Sequence, residues 1–143
     1  MTIAVDFDGT IVEHRYPEIG KELPFATETL KMLKKDRHRL ILWSVREGKL
    51  LDDAVNWCRE RGVEFYAVNR DYPEERGTEN NNNFSRKLKV DMFIDDRNIG
   101  GLPDWGTIYR MISENKSYYD IMMERAGRAS HDDTPKKKRW WQR

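Results

Sequence analysis

The chain has 143 residues, enough for one domain with a sizeable core and little beyond it. Its 26 Lys and Arg stand against 25 Asp and Glu, and the imbalance is local: residues 1–124 are mildly acidic, while Arg125, Arg128, Lys136, Lys137, Lys138, Arg139 and Arg143 make the last stretch basic. This excludes a body charged throughout for polyanions, and the single cysteine, Cys58, excludes an internal disulfide. Apolar runs no longer than a strand point to neither a signal peptide nor a membrane span, so a reducing, cytoplasmic setting is expected.

TIAV (2–5) reads as a first strand, apolar on both faces as a central parallel strand is. A polar, turn-rich stretch from Glu13 to Glu22 follows. Pro24 opens a helix over FATETLKMLKK, with Phe25, Leu30 and Leu33 near one face. RLILW (39–43) is the second strand, SVREG a short loop, and KLLDDAVNWCRERG a helix ended by Gly62, in which Cys58 half faces a packing surface. FYAV (65–68) is the third strand. From Arg70 to Arg86 proline, glycine and four consecutive asparagines predict a long loop, of the kind that often serves as a lid. VDMFI (90–94) is the fourth strand. GTIYRMI suggests an edge strand, NKSYYDIMMERAG a last helix, and SHDDTPKKKRWWQR a flexible tail; there is no internal repeat. Strands alternating with helices at short spacing predict an α/β fold with a mainly parallel sheet. The expected organisation is one domain over 1–126 and a basic tail over 127–143.

Ligand sites in parallel sheets lie outside the carboxyl ends of the strands. Here the first strand ends in Asp6-Phe7-Asp8, the second at Ser44 with Arg46 just beyond, the third at Asn69, and the fourth at Asp95-Asp96. Aligned carboxylates raise one another's pKa and cost several kcal/mol unless something compensates. Magnesium, which favours hard oxygen ligands, would do so. Asp6 and Asp95 would both reach such an ion, Asp96 would steady it directly or through water, and Asp8 would offer its backbone carbonyl with its side chain pointing elsewhere.

DFDGT (6–10) resembles the first signature of the haloacid dehalogenase-like hydrolases. LILW ending in Ser44 resembles their second signature, Lys87 their phosphate-neutralising lysine, and IDD (94–96) their acidic metal-binding signature. All four occur in the family's order over residues 3–96. The resemblance implies a Rossmann-like three-layer α/β/α sandwich around a central, mainly parallel sheet. It also implies a magnesium-dependent phosphomonoester hydrolase acting through an aspartyl-phosphate. Asp6 would be the nucleophile and Asp8 the general acid/base. Ser44 would bind a phosphate oxygen, Lys87 would supply positive charge, and Asp6, Asp8, Asp95 and Asp96 would serve the Mg2+ ion. The chain departs from the pattern in having Leu88, where proline often follows the lysine, and Lys89 as a rival to Lys87.

Gly9 suits a tight turn under the phosphate, and Thr10 would cap that turn or assist Asp8. Arg46 would contact substrate or stand exposed at a helix start. Asn69 would line the pocket or close an Asx turn. His14, Arg15, Tyr16 and Arg86 are candidates for a rim, whereas Trp43 and Trp57 read as core. The intervals 11–43 and 70–86 leave no room for a large cap domain. An uncapped site accepts large substrates, including phosphorylated proteins or nucleic-acid ends, or is closed by homo-oligomerisation; small esters suit it if the 13–22 and 70–86 loops fold over the pocket. KKKRWWQR has the chemistry for nucleic acid or anionic membrane, but its shortness favours a disordered end without a partner. The alternative to an enzyme is a non-catalytic phosphate-binding or regulatory domain on the same scaffold.

Overall fold

Residues 1–76 and 87–127 are described by a computed structural model. Arg86, the second half of the expected lid and the tail beyond Gly127 lie outside the described residues. The chain divides into two units, Met1–Leu102 and Pro103–Arg143, and the domain expected over 1–126 spans parts of both.

In the first unit, β1 (Thr2–Val5), β2 (Arg39–Leu42), β3 (Ala67–Val68) and β4 (Met92–Ile94) form one all-parallel sheet in the order β3-β2-β1-β4. Parallel neighbours need crossover connections. α1 (Ala26–Lys35) links β1 to β2, and α2 (Gly48–Glu60) links β2 to β3. The architecture is therefore α/β and Rossmann-like, without a large cap among the described residues. Ile3, Ala4 and Val5 are wholly buried, as expected of a strand with neighbours on both sides. Ala4, Ile41, Ala67 and Phe93 lie in one row across the sheet, and Leu88, Trp43 and Val90 pack on that row. The Trp43 and Phe93 rings lie 4.8 Å apart. Leu30 and Leu33 of α1 and Cys58 of α2 are fully buried, so the cysteine belongs wholly to the core.

Phe25, expected on the core face of α1, is instead 71% exposed. It holds the left-handed conformation (φ 66) just ahead of the helix and supplies no side-chain cap. Glu22 caps in its place, accepting from the Thr27 N–H at 2.8 Å and from the Thr27 hydroxyl.

The second unit holds α3 (Trp105–Ser113) and α4 (Tyr118–Arg125). The edge strand expected over GTIYRMI is thus a helix. Asp104 accepts from the Thr107 N–H at 2.9 Å and starts α3, and buried Trp105, Ile108 and Ile112 follow a helical spacing. Ser117 and Asp120 form a capping box at α4, and Glu124 binds both Arg110 and Lys116. Among the described residues no helix is long and apolar enough to cross a membrane.

Candidate active site

The chain runs from β1 outward to β2 and β3, then returns to place β4 on the other side of β1. The order reverses between β1 and β4, and open α/β sheets bind ligands outside the carboxyl ends at such a point. Val5 pairs with Ile94, so the next residues, Asp6 and Asp95, emerge side by side. The Asp6 N–H donates to the Ile94 carbonyl at 2.9 Å.

One oxygen from each of Asp6, Asp95 and Asp96 lies within 4.8 Å of the others. Thr10, fully buried, stands between two of them. Its hydroxyl donates to Asp6 Oδ2 at 3.0 Å, lies 3.4 Å from Asp96 Oδ1, and accepts from the Asp96 N–H at 3.0 Å. Burial, then the Asp95 charge, then the contact with Asp96 push the Asp6 carboxyl up to about 8, against the lowering effect of the Phe7 N–H and the Thr10 hydroxyl. Burial first and the neighbouring Asp95 second thus disfavour a bare charge on Asp6. The cluster's donors are all carboxylate oxygens, the hard ligands that suit a magnesium ion keeping part of its water shell, so the three aspartates could hold one.

Asp8 faces a different partner. Arg46 Nε donates to its Oδ2 and Nη2 to its Oδ1, both at 2.7 Å, a bidentate pair of anion and cation. Asp8 raises the Arg46 guanidinium above its ordinary pKa. Each Asp8 oxygen keeps a second lone pair for a substrate or water.

Asp6, Asp8 and Asp95 share a cavity of about 250 Å³ with His14, Tyr16, Val45 and Arg97. The loop carrying His14 and Tyr16 is anchored at its base, where Glu13 N–H donates to the Lys21 carbonyl at 2.7 Å and Leu23 N–H to that of Ile11 at 2.8 Å. A larger cavity of about 680 Å³, lined by residues including Ser44, Asn69 and the start of α2, shares Val45 with it. Asp6, Asp8 and Asp95 line the smaller one.

No protein-family model and no curated protein matches this chain. The chain is similar to a solved structure, that of a conserved protein from Bacteroides thetaiotaomicron, with 70% identity over 85% of this chain and 96% of that one, and a TM-score of 0.77. The chain belongs to the family of that conserved protein.

Within this member, the fold brings Asp6, Asp8, Asp95 and Asp96 to one end of the sheet. The Asp8 carboxylate is turned to Arg46 and stays outside the three-aspartate group. Ser44 is buried; its hydroxyl accepts from the Arg46 N–H at 3.1 Å, which leaves its own proton for an acceptor. Asn69, at φ 54, spends its amide on Ser44: Oδ1 accepts from the Ser44 N–H at 2.7 Å and Nδ2 donates to the Ser44 carbonyl at 2.9 Å. Asn69 thus shapes the Ser44 loop. Lys87 is exposed, with its ammonium 5.7 Å from the Phe93 ring centre and no ion pair to the aspartates. Lys89 is also exposed, and its backbone N–H donates to Asp71.

Two expectations change. Arg46 is 1% exposed, and its remaining N–H groups reach the carbonyls of Pro17 at 3.1 Å, Glu18 at 2.9 Å and Leu50 at 3.5 Å. It neither stands in solvent nor keeps a donor for substrate. Thr10 serves the Asp6–Asp96 pair and has no exposed surface to offer a ligand. Gly9, at φ +82, forms the expected turn, its N–H donating to the Val12 carbonyl at 2.7 Å, and also leaves room for Asp96: a Cβ there would sit 2.2 Å from Asp96 Oδ2. Sequence reading had not singled out Val45 and Arg97, although both lie in loops leaving the carboxyl ends of β2 and β4, where the strand-end rule directs attention.

Proposed function

We propose that this chain is a magnesium-dependent phosphomonoester hydrolase of the haloacid dehalogenase-like superfamily. The observation that carries the reading is the convergence of Asp6, Asp95 and Asp96 at the β1–β4 reversal, with Asp8 in the same cavity. Asp6, Asp95 and Asp96 would hold the ion, and magnesium bound there would keep Asp6 ionised and offset its repulsion from an anionic ester. The Asp6 carboxylate attacks phosphorus, the P–O bond to the alcohol breaks, and an aspartyl-phosphate forms. Asp8, entering this step protonated, gives its proton to the leaving oxygen, and the carboxylate so formed takes a proton from the water that hydrolyses the intermediate. The Ser44 hydroxyl donates to a phosphate oxygen. Lys87 is exposed and unpaired with the aspartates, so it would engage an anion only by reaching toward it. A cavity of about 250 Å³ suits a phosphate on a small leaving group, and a larger ester would extend past Val45.

The test is phosphate release from a panel of phosphomonoesters, with and without Mg2+, by the wild type and Asp6→Asn. Metal-dependent release by the wild type, abolished in the variant, is the expected result. An Asp6→Asn protein as active as the wild type would refute the nucleophile. Phosphate binding without release would favour the non-catalytic alternative.

A further inference from the structure

Arg46 is the largest fully buried side chain among the described residues. A buried charge is retained at a cost, and an apolar side chain of similar volume would pack there as well or better. Its position has a different logic. The guanidinium carbon lies 5.3 Å from the Phe7 ring centre and 5.2 Å from that of Tyr16. Two of its bonds hold both oxygens of Asp8, and two others hold the Pro17 and Glu18 carbonyls, in the loop that brings His14 and Tyr16 to the cavity. One planar group thus joins the loop after β1, the 14–18 loop and the loop after β2. A bidentate pair sets both the direction and the plane of a carboxylate, which a lysine, as a point charge, does not.

We infer that Arg46 is a positioning residue for Asp8: it touches no substrate, and it holds the Asp8 carboxylate at the cavity wall in the orientation needed at the leaving oxygen. This rests on the phosphatase reading and adds a residue through which its acid/base group acts. The consequence is specific to the leaving group. An alkyl ester such as glycerol phosphate needs a proton on its departing oxygen, whereas nitrophenyl phosphate releases a stable anion without one.

The experiment measures kcat/KM for both esters, with Mg2+, on the wild type, Asp6→Asn, Arg46→Lys, Asp8→Asn and the Arg46→Lys/Asp8→Asn double variant. The ratio between two esters is independent of how much of a variant is folded, so partial misfolding does not blur it. Arg46→Lys is expected to lose about tenfold or more in kcat/KM on the alkyl ester beyond its loss on the aryl ester. The double variant is expected to be no worse than Asp8→Asn on the alkyl ester, because the two residues act as a unit. Equal losses on both esters, or losses that multiply in the double variant, would overturn the positioning role. A wild type inactive on both esters, or matched by Asp6→Asn, would overturn the phosphatase reading and this inference with it. The two failures are therefore distinguishable.

Discussion

Removing the Asp6 carboxylate tests the electrostatics of the cluster without reference to turnover. Asp6 titrates at about 8 in the folded chain and near 3.8 when unperturbed, because burial and the neighbouring Asp95 disfavour its charge. Below the lower value both folded and unfolded states are protonated, and the site costs nothing. Between the two values the folded state holds a proton that the unfolded state has released, so stability falls as pH rises and the loss is complete above about 8. Each pH unit crossed is worth about 1.4 kcal/mol at most. Water and salt screen a partly exposed cluster, which brings the sum to about 2 kcal/mol, or roughly 5–10 °C in melting temperature for a chain of this size. Thermal unfolding followed by circular dichroism, in chelator from pH 5 to pH 9, reads this directly. The wild type should lose about that much relative to Asp6→Asn, whose amide is neutral throughout. Mg2+ added at pH 8 should restore the wild type far more than the variant. Parallel pH profiles for the two proteins would refute the reasoning.

Gly9→Ala forces a methyl to within 2.2 Å of Asp96 Oδ2 at a φ of +82; Mg2+ affinity by calorimetry should fall about 10–100-fold, and unchanged affinity would show that Asp96 lies outside the metal site. Asn69→Ala removes both bonds to Ser44 and leaves alanine at φ 54. Chemical denaturation should register a loss of about 2–4 kcal/mol, with Asn69→Gly losing less because it keeps the backbone conformation. Cys58 is fully buried and its thiol is pushed up to about 12, chiefly by burial. A thiol reagent should therefore modify it at the rate of unfolding, and fast labelling of the native chain would contradict its place in the core.

Asp6, Asp8, Asp95 and Asp96 were legible because each follows a short apolar run, and a parallel sheet gathers its strand ends on one side. The window GTIYRMI misled because β-branched and aromatic residues favour strands, while the decisive signal, Asp104 capping Thr107, lay just before it. Arg46 was illegible for a related reason. At the start of a helix an arginine ordinarily meets water, and nothing in SVREG announces the acceptors at Asp8, Pro17 and Glu18, some 28 to 38 residues away.

By itself, the sequence determined which segments bury themselves as strands, in what order they alternate with helices, and which of them end in carboxylates. These follow from local periodicity and charge, which act over a few residues. Tertiary structure alone decided which groups meet: Asp6 beside Asp95 through the Val5–Ile94 register, Thr10 between Asp6 and Asp96, and Asp8 clamped by a buried Arg46. A pairing between distant loops depends on strand order and on the acceptors that packing leaves unsatisfied, and neither is written in any one stretch of chain.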